Sequence, residues 1–308
     1  MAKSTRTALV LRPQVHPPAS IVRIAKMVES IGSLQFSNIF IPDIPGGYES
    51  IAKAAAALGV TEKLKIGSGV IRLLEHDDST LLRRIETVQS TSGNRFVLGV
   101  GTGAPGSDPA RTIDAMLAKL EKTRSEFGRR TGDPQATMPE TYIATLKARI
   151  AERVAGHSRG ILLNFCSADY AGRIITRLLE KGHSEVDFAC YIKVFYSTDQ
   201  TTADSLLIQE FANYNSLSQY HEMFARDGVA QAIEHAHESI KGNKRQPAIP
   251  ESLKQISLSN PGTPELRDLV SRFREVGVTL PCIYPYFPRE ADQEYKDETI
   301  KRIVQSGV

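Results

Sequence analysis

The sequence predicts an α/β fold of the (β/α)8 TIM-barrel class, and three observations carry the prediction. First, short apolar runs alternate with helical patterns along all 308 residues, which implies a parallel sheet with helices between its strands. Second, eight such runs can be counted, and eight βα units suit a chain a little above about 250 residues. Third, residues 64–106 spell one complete crossover unit. Two runs rich in Val, Ile and Leu, residues 64–71 and 95–100, are too short between their glycines to be helices. They read as strands buried on both faces. Residues 79–89 between them place Leu81, Leu82, Ile85 and Val88 on one helical stripe, with Arg83, Arg84 and Glu86 off it. An open doubly wound sheet is the alternative, since one misjudged run changes the count.

The elements follow in order. Residues 7–11 (TALVL) form the first strand, stopped by Pro13, Pro17 and Pro18. Ser20 is expected to cap a helix that ends at Gly32. Residues 38–41 are the second strand, closing in Pro42, Asp43, Ile44, Pro45 and two glycines, and an Ala-rich helix over 48–58 stops at Gly59. After the crossover unit, a helix follows Asp108-Pro109 and decays into a polar loop over 128–139. Residues 141–145, 160–165 and 186–196 are the next strands, with helices expected at 148–155, 168–181 and, as one long stretch, from Thr202 to about 241. A connector with Pro247 and Pro250 follows. Thr263 and Pro264 open a helix that Gly277 ends, residues 281–286 are the last strand, and residues 289–308 read as a terminal helix. No boundary, repeat or low-complexity segment interrupts the chain, so 1–308 reads as one domain.

Composition narrows the function classes. With 41% hydrophobic and 24% charged residues the chain has a globular balance. A net charge of +3 without a Lys/Arg run gives no reason to expect nucleic acid. Cys166, Cys190 and Cys282 are far apart and odd in number, which argues against a disulfide scaffold or thiolate metal site and for a reducing, cytoplasmic setting. The basic start has too short an apolar run for a signal segment, and no run approaches membrane-spanning length.

Candidate chemistry sits where strands end. Gly99, Gly101 and Gly103 look like a dinucleotide fingerprint but follow the fourth strand and do not open directly into a helix. They suit either backbone contact with a flat ring or a tight turn. Gly67-Ser68-Gly69-Val70 reads as a bulge of close backbone approach. Beyond it Arg72 is a ligand candidate, whereas Asp77, Asp78 and Ser79 read as a helix cap. Asp43 could carry a proton or merely make a turn, and His16 reads as a loop histidine. Thr145, Lys147 and Arg149 form a possible phosphate cradle at the fifth strand end, or ordinary surface charge. No spacing suggests a metal site, and no GxSxG is present.

Five segments resemble the bacterial-luciferase-like flavin- or deazaflavin-dependent oxidoreductases. They are IVRIAKMVESIGSLQFSNIFIPD (21–43), SGNRFVLGVGTG (92–103), TYIATLKARIAERVAG (141–156), FANYNSLSQYHEMFARDG (211–228) and GTPELRDLVSRFREVGVTLP (262–281). The resemblance implies a luciferase-like (β/α)8 barrel with a cofactor at its C-terminal mouth. The shortness of the chain, with only a small loop after Arg130, favours the members similar to methylenetetrahydromethanopterin reductase and hence coenzyme F420 over FMN. By position it implies a non-prolyl cis bond at Gly69–Val70 and contacts from Asp43, Gly69, Val70, Arg72, Thr102 and Gly103 to the ring or its side chain. Thr145, Leu146, Lys147 and Arg149 would hold the phosphate, and Asp43 is the candidate catalytic residue, as a ring contact or proton carrier. It also implies a homodimer through the second- and third-unit helices, for which the Ala-rich face over 52–57 is suited. Some family positions differ: Ile44 stands where a histidine is expected after the acid, Ala104 where some members carry an acid, Leu146-Lys147-Ala148 replaces Gly-Pro-Lys, and His157-Ser158-Arg159-Gly160 replaces Ala-Asp-Gly. The expectation is hydride transfer between coenzyme F420 and a small organic substrate. The alternatives are an FMN-dependent monooxygenase using O2 and a non-catalytic flavin-binding barrel.

Overall fold

All eight expected runs are strands, and a ninth, shorter strand joins them. The computed structural model describes residues 6–12, 15–32, 35–103, 108–129, 135–241 and 248–308. In order these form β1 (Thr7–Val10), α1 (Pro18–Ile31), β2 (Phe36–Ile41), α2 (Ser50–Leu58), β3 (Lys65–Arg72), α3 (Asp78–Thr91), β4 (Phe96–Gly101) and α4 (Pro109–Glu126). They continue as β5 (Glu140–Ala144), α5 (Ala148–Val154), β6 (Gly160–Asn164), α6 (Ala168–Glu180), β7 (Asp187–Phe195), α7 (Gln200–Asn215), α8 (Ser218–Arg226) and α9 (Ala230–Lys241). The chain closes with α10 (Glu251–Lys254), β8 (Leu258–Ser259), α11 (Thr263–Glu275), β9 (Leu280–Tyr286) and α12 (Gln293–Gln305). The expectations placed on Pro13, Ala104 to Gly106, the start of the loop after Arg130, and Pro247 lie outside the described residues.

β1 to β7 pair in sequence, all parallel, then β7 pairs with β9 and β9 with β1, so the sheet closes into a barrel of eight. Strands closed this way are buried on both faces, which explains why their sequences are continuous apolar runs rather than alternating ones. β7 is the extreme case, with every residue from Asp187 to Phe195 buried. Between Ser68 and Ile71 the β3–β4 register slips, so the expected bulge is present, and the Gly69–Val70 peptide bond is cis.

Three local expectations are corrected. α1 begins at Pro18 with Pro17 as its cap, because a proline loses nothing in the first turn, and Ser20 falls inside the helix and accepts from Gln293 over 3.0 Å. The long helix expected after Thr202 is three helices, α7, α8 and α9, broken at Ser216-Leu217 and at Gly228, whose φ is 71°. Residues 258–259, expected in a connector, form β8. The Phe195 carbonyl accepts from Asn260 N over 2.7 Å, while the next residue, Tyr196, donates to the Tyr286 carbonyl over 2.8 Å. Neighbouring residues of a strand point these groups to opposite edges, so β8 lies on the edge of β7 that β6 occupied lower down.

Two other caps form as expected: Asp77 accepts from Thr80 N (2.8 Å) at α3, and Asp108 accepts from Ala110 N and Arg111 N (both 3.1 Å) at α4. At α11 the expected cap, Thr263, is instead the first helical residue, and Gly262 takes the capping position without a side-chain hydrogen bond. At the N-terminal end of the barrel, Asp187 accepts from Arg6 (3.2 Å), Arg159 (3.1 Å) and Tyr142 (3.0 Å), closing that end with a paired charge. Among the described residues no helix is long and apolar enough to cross a membrane. The open end is therefore the C-terminal one.

Candidate functional site

Apolar inward positions near the C-terminal ends of β3 to β6 make the floor of a cavity of about 440 Å³. Val70, Gly101, Ala144 and Leu162 supply that floor, and Ile113 and Ile150 supply apolar walls. Gly69 lies behind it. A Cβ there would sit 1.9 Å from the Tyr191 hydroxyl oxygen, and that hydroxyl donates to the Gly69 carbonyl over 3.0 Å. At Gly103, φ is +76° and a Cβ would come within 2.9 Å of the Arg72 side chain. Both glycines are thus required by close approach, and of the two only Gly103 lines the cavity.

Of the residues singled out in the sequence, Val70, Arg72, Thr102, Gly103, Thr145, Leu146 and Lys147 all line this cavity. Arg72 is held by Glu75, its Nε 3.0 Å from the carboxylate. The Thr145 hydroxyl accepts from Lys147 N over 3.1 Å, and Tyr170 donates to the Leu146 carbonyl over 2.7 Å, which fixes the turn after β5. Asp43 is not among the lining residues; its carboxylate accepts from Ser50 N over 3.3 Å at the start of α2. His16 is fully buried with neither ring nitrogen hydrogen-bonded, and its ring stands edge-on to Phe287. It lies in the loop between β1 and α1, as expected, but packed into the core.

Arg149 lines a second cleft, of about 720 Å³, which shares Pro109, Ile113, Lys147, Ile150 and Gln219 with the first. The two form one continuous groove over the rim. Five cations face this cleft, Lys147, Arg149, Arg153, Arg177 and Arg226, against one carboxylate, Glu222. Arg153 pairs with Asp114, Arg177 with Glu152 (2.9 Å), and Lys147 lies 3.8 Å from Glu222. Among the described residues Arg149 and Arg226 have no carboxylate partner.

A family model described as luciferase-like monooxygenase matches residues 2–280. The chain belongs to the luciferase-like family. Solved structures agree in fold across the whole length. One is a coenzyme F420-dependent tetrahydromethanopterin reductase from Methanopyrus kandleri, 16% identical, covering 99% of this chain and 98% of that one with a TM-score of 0.69. Another is an F420-dependent secondary alcohol dehydrogenase in complex with an F420–acetone adduct, 14% identical, covering 99% of each chain with a TM-score of 0.73. A third is the oxygenating constituent of 3,6-diketocamphane monooxygenase from Pseudomonas putida in complex with FMN, 13% identical, covering 98% of each chain with a TM-score of 0.63. No curated protein sequence matches the chain.

Within this luciferase-like barrel the far wall of the cavity was not legible in the sequence. Asn164 at the end of β6 and Ser218, Gln219 and Tyr220 at the start of α8 complete it. Asn164 donates through Nδ2 to the hydroxyls of Tyr220 (2.7 Å) and Tyr214 (3.4 Å), while its own Oδ1 is buried without a partner. Behind this wall Lys193 is completely buried, its Nζ 2.6 Å from Glu210 and 3.6 Å from the centre of the Tyr214 ring. Burial alone would push the Glu210 carboxyl up, but Lys193 and hydrogen bonds from Lys193 and Tyr286 outweigh it and hold it below the usual range. The one sequence signal for this wall is the pair Tyr220 and Phe224, four residues apart, with Tyr214 six residues before Tyr220, which by itself reads as core.

Proposed function

We propose that this luciferase-like protein binds coenzyme F420 and transfers hydride between it and a small organic substrate. The observation that carries the reading is the groove of two connected cavities. The floor at Val70, Gly101 and Ala144 suits a flat ring, and Asn164 Oδ1 offers a buried acceptor of the kind a bound ligand satisfies. From there the groove runs into the cleft of Lys147, Arg149, Arg153, Arg177 and Arg226. FMN carries one terminal phosphate beyond its ribityl chain. Coenzyme F420 carries a phosphodiester followed by carboxylates, and a cleft with several cations past the phosphate position matches the longer anion.

When bound, the deazaflavin supplies the hydride chemistry, and the protein supplies position and exclusion of water. In this reading Val70 and Gly103 would lie against the ring, and Gly69, held by Tyr191, keeps the bulge in place behind it. Thr102 and Arg72 would bind polar groups of the ring or its chain, and Thr145, Leu146 N–H, Lys147 and Arg149 the phosphate. Asp43 would carry protons between solvent and the rim. The protein is also proposed to be a homodimer through α2 and α3, where Ala52 and Ala56 are exposed on one stripe of α2. Fluorescence titration with F420 and with FMN tests the cofactor assignment: saturable F420 binding that FMN does not displace is expected, and FMN binding without F420 binding overturns it. Sedimentation velocity tests the dimer, which a monomeric coefficient would exclude.

A further inference from the structure

Resting on that reading, we infer that Tyr220 is the catalytic residue that gives a proton to the substrate heteroatom as hydride reaches the adjacent carbon, so that the substrate pair is a carbonyl compound and its alcohol. The cavity wall carries the inference. A proton for a bound substrate has to come from a group that faces the cavity, and no carboxylate or histidine lines it among the described residues. Arg72 does not release its proton, and Lys147 stands at the exposed rim near Glu222. Tyr220 faces the cavity, and its oxygen accepts from Asn164 Nδ2 over 2.7 Å. That bond occupies an acceptor position and turns the phenolic O–H to other partners. Among the described residues that O–H donates to none. Burial holds the phenol well above the usual tyrosine range, so it remains a neutral donor throughout the physiological range. A fixed neutral donor aimed at a developing oxyanion is the geometry that lowers the barrier to carbonyl reduction.

The step balances as follows. Hydride carries its electron pair from the reduced cofactor to the carbonyl carbon, the C=O π pair moves to oxygen, and oxygen takes the Tyr220 proton. The cofactor is oxidised and the carbonyl reduced to the alcohol. The tyrosinate left behind keeps the hydrogen bond from Asn164 and is reprotonated from water, by way of the rim. Asn164 is thereby a positioning residue.

The test uses 4-nitrophenolate as an oxyanion probe and 4-nitroanisole as its neutral counterpart, both titrated into the F420-loaded full-length protein. Wild type is expected to bind the phenolate at least about tenfold more tightly than Y220F, the loss of one hydrogen bond to a charged acceptor. The anisole and F420 itself are expected to bind both proteins within about twofold. Asn164→Ala, with Tyr220 intact, is expected to weaken the phenolate and spare the anisole. Equal phenolate affinity in wild type and Y220F, a loss shared by the anisole, or no phenolate binding at all overturns the assignment. So does a loss of F420 affinity in Y220F, which would make Tyr220 a cofactor contact. If wild type binds FMN and not F420, the cofactor reading has failed, and the same comparison on the FMN-loaded protein decides Tyr220 separately.

Discussion

Tyr191 reaches across the barrel from β7 to β3 and donates its hydroxyl to the carbonyl of Gly69 over 3.0 Å, directly behind the cavity floor. One hydrogen bond thus ties the wall that carries Lys193 to the bulge that carries Val70. Tyr191→Phe keeps the ring and removes the donor, leaving a buried carbonyl without a partner. It is expected to cost about 1–3 kcal/mol in urea denaturation and to weaken cofactor binding. Gly69→Ala should be worse on both counts, since its Cβ would overlap the Tyr191 oxygen at 1.9 Å.

His16 makes folding sensitive to acid. Burial, reinforced by Lys296, Arg23 and Lys53, lowers its pKa to about 3 from 6.5. The unfolded chain therefore takes up a proton that the folded chain refuses, and stability falls as pH drops from about 6.5 toward 3. The whole loss amounts to at most about 5 kcal/mol. His16→Leu should flatten the stability profile across that window, measured by denaturation midpoints at successive pH values.

Glu210 acts in the same direction at lower pH. Its carboxyl is held below the usual range by Lys193, so it contributes stability above the ordinary glutamate pKa of about 4.3 that is lost as pH falls through the depressed value. Lys193→Met, which strands Glu210 in the interior, is expected to cost about 3–5 kcal/mol at neutral pH. The double variant Lys193→Met with Glu210→Leu should recover much of that loss, because no buried charge is left unpaired.

The two ends of the barrel should separate stability from binding. Asp187→Ala removes the acceptor shared by Arg6, Arg159 and Tyr142 at the N-terminal end. It is expected to lower stability by about 3–5 kcal/mol with F420 affinity intact. Arg149→Ala and Arg226→Ala at the cleft should do the reverse. Each would weaken F420 about tenfold, flatten the salt dependence of binding, and leave the melting temperature nearly unchanged.

The barrel was legible because its signal is redundant. Runs such as residues 64–71 and 95–100 had to be strands, and the glycines ending them had to sit at one rim, whatever the rest of the chain did. The caps at Asp77 and Asp108 were legible for the same local reason. β8 was not, since two residues carry no periodicity and its pairing is decided by where β6 stops. The break between α7 and α8 was hidden too: Ser216 and Leu217 interrupt an apolar pattern that continues on both sides. Asn164 and Tyr220 were invisible because their meeting depends on that break. The strand-end residues from Val70 to Lys147 were found because each strand end marks the rim on its own.

The seam between β6 and β8 has an evolutionary corollary. Below Asn164 the staves are bonded all the way round, whereas above it β7 exchanges one neighbour for another, and the long segment from Tyr196 to Ser257 is suspended from that exchange. The foundation and the canopy are therefore separable parts. Transplanting the canopy of a relative onto this foundation should carry over its choice of substrate and, through Gln219 and Arg226, reshape the cationic cleft, while the floor at Val70, Gly101 and Ala144 stays as it is.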